Sequence, residues 1–266
     1  MIGCLRDMRN EIPCWSRLHF SKLPRSFTGH WGRKARLARK WLWSFPSTIS
    51  TECRFYCICA DTKALKQKNS HFRKDYHAYN RLTAMAAYCG LRYFYTSVKS
   101  FKCQIYSDKK SRPWSGLEYD NFEEYLPRRV SSDFQKRNGR LMDDRIEFEI
   151  ADQVILLNSE PCADNGHLNE KCDLLQLTDI LLGSVSQAVR ARASSITKRA
   201  LAMIAAEWMS DLRQRKNVQP FNLRRRFSVG FFPDGNGRIS ENVPLPILSD
   251  KNYEEIRGQL SLSLSN

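Results

Sequence analysis

Apolar residues along the chain fall into two kinds of pattern. Short, dense apolar runs read as strands, and longer stretches with apolar residues every three or four positions read as helices. Arg54 to Ala60 is almost unbroken apolar, aromatic and cysteine character, which predicts a buried strand closing on Asp61. Lys102 to Ser107 predicts a second strand, closing on Asp108. Ile146 to Ile150 alternates apolar and acidic residues, as a strand with one wet face does, and Val154 to Leu157 predicts a more buried one. Helical spacing predicts helices over 28–44, 75–94, 120–136, 174–189 and 196–214. Pro46 stops the first of these, and Asp75 is placed to cap the second, whose apolar positions are Tyr76, Tyr79, Leu82, Ala86 and Tyr88. Residues 1–25 mix single apolar residues with charged ones and read as an irregular lead-in. Phe227 to Phe232 is a last short apolar run, followed by a turn at Asp234-Gly-Asn-Gly237. Strands alternate with helices, so the expected class is α/β. No repeat, low-complexity tract or linker interrupts the pattern.

The length of 266 residues allows one large domain or two small ones. With 42% hydrophobic and 27% charged residues the chain can build a core. Charge changes the picture most. Lys and Arg number 43 against 28 Asp and Glu, a net +15, which points to a polyanionic partner such as nucleic acid. The cations gather at Arg33 to Lys40, Arg128-Arg129, Arg190 to Arg199 and Arg224 to Arg226. Trp31, Trp41, Trp43 and Tyr56 lie among or after the first group, and aromatics beside cations can stack bases and grip phosphates. Each segment taken alone can equally be the solvated back of a helix. No apolar run is long enough to cross a membrane, and the N-terminus has no signal-peptide core, so a cytoplasmic protein is expected.

Nine cysteines, odd in number and scattered through apolar segments, read as reduced thiols. Cys53, Cys57 and Cys59 share strand parity and suit core packing. Cys162, His167 and Cys172 fit no standard zinc spacing and lack a fourth partner. Asp234 to Gly237 lacks the distal glutamate of a calcium loop. His71 and His77 flank a basic helix start and read as surface residues.

Carboxylates carry the candidate chemistry. Asp61 and Asp108 each close a strand, on the sheet edge where ligands of open α/β folds bind. The same position is common for turn formers and helix caps. In the helix from Leu174, the residues Leu174, Leu177, Leu181, Val185 and Ala188 share one face, and Gln176, Asp179 and Gly183 share another. Gly183 has no side chain, which leaves room beside Asp179 for a metal ion or for a backbone to approach. Spacing alone would make Asp179 a solvated helix residue.

The stretch Asp173-Leu-Leu-Gln-Leu-Thr-Asp-Ile-Leu-Leu-Gly-Ser-Val185 resembles the LQLADLLAG element of a bacterial family catalogued as domain of unknown function 3800. Val154 to Glu160, Glu11 to Leu23, Arg225 to Ser228 and Phe232 to Asp234 resemble shorter segments of it. The resemblance implies a ribonuclease H-like fold, an incomplete mixed sheet flanked by helices. It implies a metal-dependent nuclease, a phosphodiesterase in which Asp61 and Asp179, with Asp108 as a weaker third, hold Mg²⁺ or Mn²⁺ for cleavage of nucleic acid. The family begins with a strand carrying DESG, and nothing of that kind precedes Glu11. The resemblance therefore implies an N-terminally truncated domain over 1–235 with a tail over 236–266. It leaves as the alternative a non-catalytic nucleic-acid-binding or protein-interaction module, the latter pairing its open sheet edge with a partner strand.

Overall fold

The structure, a computed structural model, describes residues 2–30, 32–47, 53–61, 65, 75–108, 121–139, 146–157, 170–190, 194–213, 223–233 and 239–240. In chain order the elements are α1 (Ile2–Glu11), α2 (Arg33–Ser44), β1 (Phe55–Ala60), α3 (Asp75–Phe94), β2 (Ser100–Cys103), β3 (Tyr106–Asp108), α4 (Phe122–Asn138), β4 (Glu147–Ile150), β5 (Ile155–Leu157), α5 (Glu170–Arg190), α6 (Ile196–Arg213) and β6 (Phe227–Phe232). The class is mixed α/β, with six α-helices and small parallel strand pairs among the described residues. The chain forms two compact units, one of residues 1–55, 159–229 and 241–266, the other of 56–158 and 230–240.

The first unit is helical. Its α5 and α6 pack on each other, α2 packs on both, and α1 packs on α2 and α5. The inward face of α2 is Ala35, Leu37, Ala38, Trp41 and Leu42, all fully buried. On α5 four of the five predicted apolar positions, Leu177, Leu181, Val185 and Ala188, are buried, and Leu174 is half-buried. Each large apolar side chain removed from water in this way contributes about 1.5–3 kcal/mol. The lead-in predicted for residues 1–25 is in its first part a helix. In α1, Leu5 and Met8 form an i, i+3 apolar pair turned to the core, and Arg9 beside them is also fully buried. The charge on Arg9 hid the amphipathic spacing.

The second unit contains the parallel ladders. Ser100 to Cys103 face Glu147 to Ile150, and Tyr106 to Asp108 face Ile155 to Leu157. From Cys103 to Tyr106 the first strand advances three residues while its partner advances five, from Ile150 to Ile155. The single strand predicted over 102–107 is thus broken at a bulge. Gln104 bridges the gap, its Nε2 donating to the Gln153 carbonyl at 3.0 Å. The core beneath is Ala84 of α3, Phe122, Leu126, Val130 and Phe134 of α4, and Ile146 and Val154. The buried side of α3 runs through Asn80 and Ala84, while Tyr79 is half exposed. In β5, Ile155 and Leu156 are exposed and only the preceding Val154 is buried, against the expectation of a buried strand.

Pro127 sits inside α4 and has no N–H for the Glu123 carbonyl. That carbonyl instead accepts the Val154 N–H at 3.1 Å, tying the helix to the start of β5. At the other end, the Asn138 amide pairs with both backbone groups of Ile146, like one rung of a ladder.

The strand β1 pairs with β6. The Phe55 N–H donates to the Arg226 carbonyl, and the Asp61 N–H to the Phe232 carbonyl. The constant offset makes the two strands parallel. Only Phe55 and Cys57 of β1 are buried, so it is half buried where the apolar run predicts full burial.

Candidate functional site

Helix α5 presents Asp173, Gln176, Asp179 and Gly183 to one segment of the chain, residues 9–20, from its start to its middle. Arg9 is the first contact. Its Nε donates to Asp173 Oδ1 at 2.9 Å, its Nη2 to Gln176 Oε1 at 2.8 Å, and its Nη1 to the Cys14 carbonyl at 2.5 Å. The Arg9 and Asp173 side chains are both fully buried, and the guanidinium lies 4.7 Å from the centre of the Trp41 ring. Oδ2 of Asp173 meets no donor among the described residues, so Arg9 is the counter-charge that this carboxylate has.

The next two polar groups capture backbone. Gln176 Oε1 accepts the Leu18 N–H at 2.7 Å, and Asp179 Oδ2 accepts the Phe20 N–H at 2.7 Å. One helical turn of α5 thus matches two alternate amides of the opposing chain. His19 Nδ1 is 3.1 Å from Asp179 Oδ2 and 3.3 Å from the Ser21 nitrogen. With a proton, Nδ1 donates to the carboxylate; without one, it accepts the Ser21 N–H. Gly183 completes the face, since a Cβ there would stand 2.1 Å from the Phe20 ring. Lys198 of α6 holds the segment from the far side, its Nζ donating to the Ser21 carbonyl at 3.1 Å. Of the two occupants that the bare Gly183 could admit, a metal ion or a backbone, the described structure has backbone and an aromatic ring beside it.

Asp61 and Asp108 belong to the other unit. Asp61 is exposed at the end of β1, and its carbonyl accepts the N–H of the helical residue Leu65 at 3.0 Å. Asp108 is the last residue of β3, opposite Leu157. Among the described residues no group of three or more His, Cys, Asp or Glu side chains is gathered that could hold a metal ion. Cys162, His167 and Asp234 to Gly237 lie outside the described residues, as does His71, and Cys172 is buried on α5.

The thiols are free among the described residues. Cys57 and Cys59 lie two apart on β1. Hydrogen bonding to Cys59 raises the Cys57 thiol well above its ordinary range, and burial pushes the same way. Burial also raises Cys103. Both effects favour the unreactive protonated thiol.

A second polar face lies on the outside of α2. Arg36, Arg39, Lys40 and Trp43 recur at i, i+3, i+4 and i+7, opposite the buried apolar stripe. The helix holds five cations, Arg33, Lys34, Arg36, Arg39 and Lys40, and no acidic residue. Lys40 is paired with Glu11 of α1. Trp43 is 64% exposed. With Phe27 and Ser44 these side chains line a groove of about 520 Å³. Phe27 carries no sequence signal, because a single aromatic in a Ser-Phe-Thr-Gly loop has no periodic partner. Nothing local in the sequence connects Arg9 with Asp173, because 164 residues separate them.

Compared with known proteins, the chain matches no family model, no curated protein and no solved structure.

Proposed function

We propose that the protein binds nucleic acid through the outward face of α2. The observation that supports this is the five-cation, acid-free helix whose exposed side carries Arg36, Arg39 and Lys40 around a groove edged by Trp43. Condensed cations leave a nucleic acid when Arg and Lys replace them, so such a face gains affinity from their release. The chain's net +15 acts in the same direction. No helix among the described residues is long and apolar enough to cross a membrane. Titration of a labelled oligonucleotide at increasing salt tests the proposal. Two phosphate contacts, from Arg36 and Arg39, predict that log K falls with log salt at a slope of about −1.4 to −1.8, since Lys40 is already paired with Glu11. A flat profile overturns it.

A second reading, a metal-dependent nuclease of ribonuclease H-like fold, rests on the Gln176–Asp179–Gly183 element and on its resemblance. Its structural support is that the Asp179 side chain is 41% exposed, despite its bond to Phe20, and that Asp61 is exposed at a strand end. In that reading Asp179 would help to hold Mg²⁺ or Mn²⁺, and the metal would supply an activated water. Cleavage of an oligonucleotide that requires Mg²⁺ or Mn²⁺ and disappears in Asp179→Asn would support it. Equal cleavage by that variant would remove Asp179 from the site.

A further inference from the structure

We infer that the groove beside α2 takes an unpaired base, so that the polyanion is a single strand. The inference rests on the nucleic-acid reading above and narrows it to a ligand class. A face built only to meet phosphates needs cations and nothing planar. Here the groove is edged by two aromatic rings, Phe27 and Trp43, with Arg36 and Arg39 between them in sequence. A flat apolar group next to an anion is what a nucleotide offers, and every base has a face on which an aromatic ring can stack. In a duplex those faces are already stacked on one another, and only phosphates and groove edges remain to be touched.

The Phe27 wall is fixed before any ligand arrives. Arg36 Nη1 donates to the Phe27 carbonyl at 2.6 Å and to the Gly29 carbonyl at 3.3 Å. The Arg39 guanidinium carbon lies 5.6 Å from the centre of the Phe27 ring. Ser26 Oγ accepts the Thr28 N–H at 3.0 Å, which tightens the loop. Gly29 sits at φ +67°, a conformation that side chains rarely adopt, and a Cβ on Gly32 would stand 2.3 Å from the Phe27 oxygen. These contacts hold the ring against the helix, so little order is left to be imposed on binding. Trp43 is the other element: a large apolar ring, 64% exposed, on a helix whose remaining large apolar side chains face the core. The groove volume of about 520 Å³ is within the range of small-ligand sites and admits a nucleotide. Arg36 and Arg39 have no acidic partner among the described residues, so their charge faces whatever enters.

The test compares the whole chain binding a thymidine oligonucleotide and a duplex of equal length, at the same salt. The expected result is at least tenfold tighter binding of the single strand, with quenching of tryptophan fluorescence. Trp43→Leu should abolish both the quenching and the preference while keeping the circular dichroism spectrum and the salt slope, a loss of about tenfold for one stacked base. Phe27→Leu should weaken the single strand in the same sense. Equal or tighter duplex binding, or an unchanged preference in Trp43→Leu, overturns the inference and leaves phosphate binding by α2 standing. No binding to either oligonucleotide overturns both.

Discussion

Helices α2 and α5 each carry a polar stripe at helical spacing, and they turn it in opposite directions. The stripe of α5, Asp173, Gln176, Asp179 and Gly183, is turned onto the chain's own first twenty residues, where it takes a guanidinium, two backbone amides and a ring. The stripe of α2, Arg36, Arg39, Lys40 and Trp43, faces outward around a groove. The contrast teaches that a carboxylate at motif spacing is not by that fact a ligand. Backbone amides compete for it, and a neighbouring glycine favours them by letting the other chain come close. The cations of α2 are the reverse case: Lys40 meets Glu11, but Arg36 and Arg39 meet only carbonyls and a ring, and their charge stays uncompensated by any acid among the described residues.

Substitutions that separate the two faces form a descending series. The largest effect is expected from Arg9→Ala or Asp173→Ala, which leaves one buried charge alone and costs about 3–5 kcal/mol, measurable by urea denaturation. Replacing both by apolar residues of similar volume, Arg9→Met with Asp173→Leu, should recover most of that loss. Equal loss in the single and double variants would mean that the pair is not the source. Next is Gly183→Ala, whose methyl group must displace the Phe20 ring at a cost of about 1–3 kcal/mol, and Phe20→Ala in the same chain should relieve part of it. Asp179→Ala removes the acceptor of the Phe20 N–H and should cost about 1 kcal/mol. A neutral or stabilising result there would mean that the carboxylate is held for something other than the fold, which is what the nuclease reading requires. The smallest change in stability, within about 0.5 kcal/mol, is expected for Arg39→Gln on the outward face. Its effect belongs to binding, where the salt slope should fall by about one.

These outcomes bear on how far the sequence could be read. Helices α2 to α6 lie where apolar spacing predicts them, but the buried face of α3 is Asn80 and Ala84 and not the predicted Tyr76, Tyr79, Leu82, Ala86 and Tyr88. The boundaries of α3, Asp75 and Phe94, are those that the pattern predicts. Two failures have physical causes. α1 was masked because its inward stripe includes Arg9, and a buried arginine is intelligible only once Asp173 is seen beside it. The two-residue bulge between β4 and β5 leaves no mark in hydropathy, since register belongs to the pair of strands and not to either one. At the sites, the shared face of Gln176, Asp179 and Gly183 was legible, but what lies on it was not. The occupant comes from residues 18–20, and no local rule connects those to α5. The cations of α2 were legible as a cluster. The groove they edge was not, because it depends on Phe27 being tethered by the Arg36 side chain.

The Arg9–Asp173 pair has a consequence for the time at which this protein is made. Its partners are 164 residues apart. At a synthesis rate of about 5–20 residues per second, the arginine waits roughly 8–33 s before the aspartate has been polymerised. Throughout that interval α1 has its apolar flank and an unpaired cation but no groove to dock in. Helix α1 is therefore among the last parts of the helical unit to settle, although it is made before the helices it packs on.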